Sequence, residues 1–389
     1  MVTRVAAVDG YRGLVMLLMM GEVLQFCEIS TANPVSSFWK FLCHEQSHVP
    51  WVGCSLHDLI APSFYFLVGM ALHFSLAKRS KSGQPWSTIA THSLARGFFL
   101  VLLGMVLQYV RWGASWSFED TLTQIGLAYF VAFFVAHGSR RTWWLAFAGI
   151  LVIHWIAFAA YPIPGPGFRY DEVGVSPAWL EQNGVSGFAA HWQKNSNLGW
   201  AIDTWFLNLF PRATPFTHSP LGLTTVNFFP TSATMILGVI GAEWMRNEWR
   251  QPRRLVILSL AGVVGIAAGV LLGLAGVCPV VKAIWTPSWV LFSGGWCFLL
   301  LVMWYVVADV WRQRAVVFPF AVVGANSLLA YMGFHLFMGF AYGRIERRSG
   351  KVFQVFGAEY ETVTYGVVIL ILAWMGLYFL YRKKWFIRL

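Results

Sequence analysis

Apolar positions run along this chain in long stretches separated by short polar breaks. A membrane-spanning helix needs about 20 mostly apolar residues. Stretches of that kind fall at 12–30, 57–77, 92–112, 119–137, 142–161, 228–247, 254–276, 284–311, 316–341 and 363–382. The pattern predicts an all-α fold, a polytopic membrane bundle of about ten transmembrane helices. The first stretch carries Glu22, and no small-residue cleavage site follows it, so it reads as a span and not as a signal peptide. Residues 1–389 read as a single integral membrane domain with one extended loop or cap at 162–227. The cap opens on Tyr161-Pro-Ile-Pro-Gly-Pro-Gly, which excludes helix. Further on, Leu198, Ile202, Trp205, Phe206 and Leu209 fall on one helical face, the pattern of an interfacial helix that covers a site as a lid or simply caps the bundle.

Composition sharpens this picture. Charged residues make up 12% of the chain, against about 25% in a soluble domain, too few to cover a water-facing surface. The 21 Trp and 13 Tyr suit aromatic belts at two membrane interfaces. The formal charge is +11, but the basic residues gather at helix ends. One side holds Arg4, then Lys78, Arg79 and Lys81, then Arg140 and Arg141. It also holds Arg246, Arg250, Arg253 and Arg254, then Arg312 and Arg314, then Arg382, Lys383 and Lys384. This asymmetry predicts both termini in the cytoplasm and the 162–227 cap outside, with the loop of Arg344, Arg347, Arg348 and Lys351 as the exception. The charge is therefore a topology signal; the expected partner is the lipid bilayer and not nucleic acid. The five cysteines show no metal spacing, so no metal is expected. Cys43 and Cys54 share an outer loop and are expected to pair in an oxidising compartment.

Ionisable and amide side chains inside spans stand out, because a charge at mid-membrane costs about 2.5–3.5 kcal/mol. Asp9 and Arg12 lie three apart at the start of the first span, either as a local ion pair or as a pair presenting an arginine to phosphate. Glu22 lies ten residues further on, about 15 Å deeper along a helix, and needs a partner. The strongest cluster is Ser47-His48-Val-Pro50-Trp51-Val-Gly53-Cys-Ser55-Leu-His57-Asp58, with Pro62 following. Pro50 and Gly53 break helix, so His48 sits on a tight turn. A carboxylate at Asp58 can fix its tautomer, which suits general-base or nucleophilic acyl transfer. Thr123 and Gln124, and then Asn326, Ser327, Tyr331 and His335, are polar residues within spans that serve helix packing or line a site.

These segments resemble the catalytic domain of the heparan-alpha-glucosaminide N-acetyltransferase family and its bacterial relatives. The matching pieces are Val8-Asp9-Gly-Tyr-Arg12-Gly13, the turn His48-x-x-Trp51-x-Gly53 leading to Asp58 and Pro62, and Leu122-x-Gln124-Ile-Gly126-x-x-Tyr129. Phe229-Pro230 ahead of Gly238-x-x-Gly241, Thr286-Pro-Ser288-Trp289, and Asn326-Ser327 before Tyr331 extend the likeness along nearly the whole chain. The resemblance implies acetyl transfer from cytoplasmic acetyl-CoA to the amine of a terminal glucosamine across the membrane, with His48 as the catalytic residue. The family carries an asparagine on this first span, where the present chain reads Gly21-Glu22-Val23.

The expectation is therefore a multi-pass inner-membrane acyltransferase, with an amino sugar or glycan accepting the acyl group on the outer face. His48 is the base or acyl carrier, and Asp58 orients it. Asp9, Arg12, Gln124 and Asn326 are expected on the acetyl-CoA side, with Lys78, Arg79 or Arg96 assisting Arg12. Trp51 and Glu22 are expected on the acceptor, Trp51 stacking on the sugar. The hydrocarbon core is about 30 Å thick, longer than a pantetheine arm. This predicts a re-entrant His48 loop with Glu22, Gln124 and Asn326 lining a polar shaft from Arg12. Association into a homodimer is left open. The competing reading is an amino-sugar permease with the same polar core and no chemistry.

Overall fold

The computed structural model describes residues 6–113, 116–336 and 350–386. Arg4, Arg344, Arg347 and Arg348, used in the charge argument above, lie outside the described residues. Among those described there is no β-strand, and Val52 and Val281 form an isolated antiparallel bridge. The helices are α1 (Ala6–Met20), α2 (Phe26–Ala32), α3 (Ser37–Gln46), α4 (Ile60–Lys81), α5 (Trp86–Trp112), α6 (Thr121–His137) and α7 (Arg140–Ala160). They continue with α8 (Pro177–Asn183), α9 (Leu198–Phe206), α10 (Phe228–Arg246), α11 (Gln251–Leu274), α12 (Pro287–Tyr305), α13 (Arg314–Ala325), α14 (Ser327–Leu336) and α15 (Glu361–Arg382). Among the described residues eight helical stretches are long and apolar enough to cross a bilayer, and α13 with α14, bent by 67° at their junction, makes a ninth when counted as one span. The apolar helix α6 is shorter, at 17 residues. Each stretch picked out by the apolar pattern thus holds an apolar helix, with α6 shorter than a full span and residues 337–341 outside the described residues, and the chain is a polytopic all-α membrane bundle.

The chain divides into two compact units. The first comprises Met1–Val49, Cys54–Ile60 and Leu300–Leu389; the second comprises Pro50–Gly53 and Ala61–Leu299. In the first unit α1 lies against α13 at backbone contact. A Cβ on Gly13 would overlap the Phe320 carbonyl, and one on Gly324 would overlap that of Asp9, so only glycine fits at this crossing. The Asp309 carboxylate accepts a hydrogen bond from the Ala7 N–H (3.2 Å) at the start of α1.

The first span is broken within its length. After Met20 the backbone tightens into a 3₁₀ turn over Gly21–Leu24, and Gln25 takes left-handed angles (φ 45°, ψ 52°). A break inside a span frees backbone groups that lipid cannot satisfy. The Gln46 side chain satisfies two of them: its Nε2 donates to the Gly21 carbonyl (2.7 Å) and its Oε1 accepts from the Phe26 N–H (2.8 Å). Helices α2 and α3 then pair as a hairpin closed by a disulfide between Cys27 and Cys43, whose Cα atoms are 4.5 Å apart. This corrects the expected Cys43–Cys54 bridge. The hairpin turns Cys43 back onto Cys27, while Cys54 lies beyond the His48 turn with its thiol directed at the Ser55 carbonyl (3.1 Å).

In the second unit the most and least buried spans are also the most and least polar. The span Thr225–Arg246 has mean hydropathy 1.3 and is 83% buried, whereas Gln251–Leu274 has mean hydropathy 2.7 and is 17% buried. Thr231, Ser232 and Thr234 on α10 are fully buried, the first two donating to the Phe228 and Phe229 carbonyls and Thr234 accepting from the Trp285 indole N–H, so protein groups replace water. Nothing polar beyond Ser259 interrupts α11 after its basic first turn, so it can face lipid on most sides.

The segment between α7 and α10 holds α8, a 3₁₀ turn over Gly187–Trp192, and α9. Asn197 caps α9, its Oδ1 accepting from the Trp200 N–H (3.1 Å). The apolar face read from the sequence does not form a buried seam. Trp205 and Leu209 point outward, and α9 buries Gly199 and Asp203 instead.

Candidate active site

His48 and Asp58 lie in the first unit, and Pro50–Gly53 between them belong to the second. Ser47 ends α3 in extended conformation, and the chain returns through Ser55 into the 3₁₀ turn His57–Leu59 that starts the second span. This brings His48 Nδ1 to 2.7 Å from Asp58 Oδ1. Asp58 Oδ2 accepts from the Val49 N–H (3.2 Å) and the Ser55 N–H (3.1 Å). The Ser55 hydroxyl, which also bonds the Ser47 carbonyl, sits 3.1 Å from the same oxygen. The Asp58 side chain is 1% exposed and that of His48 is 51% exposed. A buried carboxylate held by several donors cannot swing, so it fixes the ring it touches. With the Nδ1 proton directed at Asp58, Nε2 is the basic nitrogen. The pair has the construction of an oriented general base.

A second pair stands beside it. His57 Nε2 lies 3.1 Å from Glu22 Oε1, and the His48 and His57 rings meet at 4.6 Å between centroids. Glu22 reaches His57 because the 3₁₀ turn carries it off the α1 helix. His57 was visible in the sequence only as a neighbour of Asp58. The signal that would have found it is a carboxylate in a span that requires a partner.

The other expected site residues are distributed differently. Asp9 and Arg12 form an ion pair three residues apart, at 3.9 Å, with Arg12 partly exposed. Asn326 is fully buried at the bend between α13 and α14, and its Nδ2 donates to the Trp385 carbonyl (3.0 Å). Gln124 belongs to the second unit, where its Nε2 donates to the Phe118 (2.7 Å) and Thr225 (3.1 Å) carbonyls. Asn326 and Gln124 thus each tie backbone segments within their own unit. Trp51 also belongs to the second unit. It is 2% exposed, in a cluster with Phe158, Trp192 and Ile284, and its indole N–H donates to the Trp192 carbonyl (3.1 Å). The stacking role expected for it is corrected: both ring faces are packed inside protein. Arg96 lies over the Tyr129 ring, and Arg79 bonds Gln84, again in the second unit.

A cavity of about 440 Å³ opens in the first unit at the start of α1, lined by Ala6, Asp309, Arg312 and Arg314 among others. Its lining does not include Arg12, Glu22 or His48. In the second unit, Arg140, His73 and Arg246 gather around or beside Glu243, a charged cluster that the sequence did not suggest. Two carboxyls near the 162–227 segment are perturbed. Burial pushes Glu119 up to about 7, and the nearby Asp203 adds to this. Burial also pushes Asp203 up to about 6. Glu119 accepts from the Ser219 hydroxyl (3.0 Å) and Asp203 from the Thr225 N–H (2.9 Å). Among the described residues no group of three or more His, Cys, Asp or Glu is arranged to hold a metal ion.

No protein-family model matches the chain. Among curated proteins it is similar to the human protein heparan-alpha-glucosaminide N-acetyltransferase, with 22% identity over 426 aligned residues. The alignment covers 98% of this chain and 59% of that protein. The chain therefore spans about three fifths of that relative's length, and the likeness supports a distant family relationship to an N-acetyltransferase.

Proposed function

We propose that the chain is a transmembrane acyltransferase that moves an acetyl group from cytoplasmic acetyl-CoA to the amine of an amino sugar or glycan on the outer face. The observation that carries this reading is the His48–Asp58 pair, a half-exposed imidazole held at 2.7 Å by a buried carboxylate. Transport requires a binding site between two gates and has no need for an imidazole so oriented. The distant relationship to an N-acetyltransferase along nearly the full chain supports the same class of chemistry. The basic-loop asymmetry supports cytoplasmic termini. The Cys27–Cys43 disulfide in the hairpin leading to His48 supports placing that turn in an oxidising compartment, outside the cytoplasm of an inner membrane.

In this mechanism the acceptor amine attacks the thioester carbonyl while His48 Nε2 takes its proton, and Asp58 stabilises the imidazolium. Arg12, positioned by Asp9, receives phosphate oxygens of the cosubstrate, and the cavity with Arg312 and Arg314 offers further guanidinium groups for the same anion. Detergent-purified protein supplied with acetyl-CoA and glucosamine tests the reading. The wild-type chain acetylates the sugar, and His48→Ala loses at least about 10²-fold of that rate. Equal rates in the two proteins would refute the assignment.

The broken first span and the 67° bend at Asn326 also suit an amino-sugar permease, whose sites form at interrupted helices. Uptake of unmodified glucosamine into vesicles, with no acetylated product, distinguishes it.

A further inference from the structure

The His57–Glu22 pair has no part in the reaction as described so far, yet it shares the approach to His48. The two rings are 4.6 Å apart with planes inclined by 55°. Each ring has its own carboxylate, Asp58 at 2.7 Å from His48 and Glu22 at 3.1 Å from His57. Two imidazoles, each backed by a carboxylate, thus stand side by side with chemistry that suits a cationic acceptor.

An aliphatic amine has a pKa of about 8–10 and reaches the protein mostly as ammonium. Ammonium has no lone pair, so it cannot attack a thioester. Amide formation from it removes two protons from nitrogen, one before the attack and one during it. The His48–Asp58 pair accounts for one. We propose that His57, held by Glu22, is a second catalytic base that takes the first proton from the acceptor ammonium. The proposal rests on the acyl-transfer reading above.

His57 Nε2–H donates to Glu22, so Nδ1 is its basic nitrogen. The ammonium passes a proton to Nδ1, and Glu22 stabilises the imidazolium. The Glu22 side chain is 41% exposed, against 10% for His57, which gives that proton a way to water. The freed lone pair attacks the thioester carbonyl carbon. The C–N bond forms, the carbonyl pair moves to oxygen, and His48 Nε2 takes the second proton. The carbonyl then re-forms and the C–S bond breaks. Sulfur leaves with the bonding pair and collects the proton held by His48. One amide, one thiol and one released proton result.

Among the described residues, the ionisable groups around His57 are these. His48 and Asp58 face it or adjoin it, and Glu45 of α3 accepts from the neighbouring Leu56 N–H (2.7 Å). His44 lies 4.0 Å from Glu45, and Tyr365 of α15 packs against Val23 beside Glu22. None of them supplies a fixed cation that would compete for Glu22.

The test is the pH profile of acetyl transfer to glucosamine by the full chain, for wild type, His57→Gln, Glu22→Gln and His48→Ala. His57→Gln is expected to lose about 10²-fold in kcat/KM at pH 6.5 and to recover to within about threefold above the pKa of the sugar amine, where no first proton remains. Glu22→Gln shows the same shape with a smaller loss, and carries the test if His57→Gln does not fold. His48→Ala stays inactive at every pH. A deficit in both variants that is equal at all pH values marks a structural role and overturns the proposal, as does no deficit at all. If wild type transfers nothing, or His48→Ala keeps its activity, the acyl-transfer reading itself falls and this proposal falls with it.

Discussion

At the His48 turn Asp58 and Glu22 face imidazoles; the two buried acids in and beside the 162–227 segment, Asp203 and Glu119, face a backbone amide and a hydroxyl. Asp58 and Glu22 each lie against a ring nitrogen, at 2.7 and 3.1 Å. Glu119 and Asp203 are bonded to Ser219 and to the Thr225 N–H, and burial raises both toward neutrality. The residue types are the same, and the difference lies in what each acid is offered. An acid beside an imidazole works as a charge that can steer a proton. A buried acid with only neutral partners stabilises the fold best with its proton on. The comparison therefore predicts that an amide can replace the second kind of acid and not the first.

The largest effect is expected at Asp58. Asp58→Asn keeps the shape but presents an amide that no longer selects the His48 tautomer, and transfer should fall about 10³-fold or more. Near-normal rates in a folded Asp58→Asn protein would erase the distinction between the two regions. Next is the clip that holds the hairpin before the turn. Cys27→Ser opens a loop of sequence separation 16 and should remove about 3 kcal/mol of stability, read as a lower unfolding temperature that reductant does not lower further. The 162–227 region comes third. Its carboxyls hold protons that the unfolded chain releases between about pH 4 and 7, so the folded state binds more protons there and loses stability as pH rises through that window. For Glu119, moved from 4.5 to about 7, this amounts to on the order of 3 kcal/mol. Hydrogen exchange of 162–227, corrected for intrinsic rate, should show weaker protection at pH 8 than at pH 5, and Glu119→Gln with Asp203→Asn should flatten the trend. A slope of the opposite sign would contradict the comparison. The smallest effect is the stability change of His48→Ala, about 1 kcal/mol, because the ring is half-exposed and Asp58 keeps its backbone donors.

The sequence made some of this legible and hid the rest, for physical reasons. Spans are legible because lipid demands continuous apolar runs, and the i,i+3 spacing of Asp9 and Arg12 is enough to place them on one face. The contact of His48 with Asp58 is legible because proline and glycine force the turn between them. The break at Gly21 is not, since the apolar run continues through it and its repair depends on Gln46, 25 residues away. The disulfide follows from that break: without the hairpin there is no reason to seat Cys43 against Cys27. Trp51 misleads because an indole beside a histidine suits a sugar as well as a core, and only the Trp192 carbonyl decides.

The central claim is that an oriented imidazole in this chain transfers an acetyl group across a membrane. Sealed proteoliposomes test it most directly, with labelled acetyl-CoA on the side of residue 81 and glucosamine on the side of residue 170. The account predicts labelled N-acetylglucosamine on the glucosamine side with wild-type protein and none with His48→Ala. Labelled product at equal rates from both proteins, or glucosamine crossing unmodified with no labelled product, would contradict it.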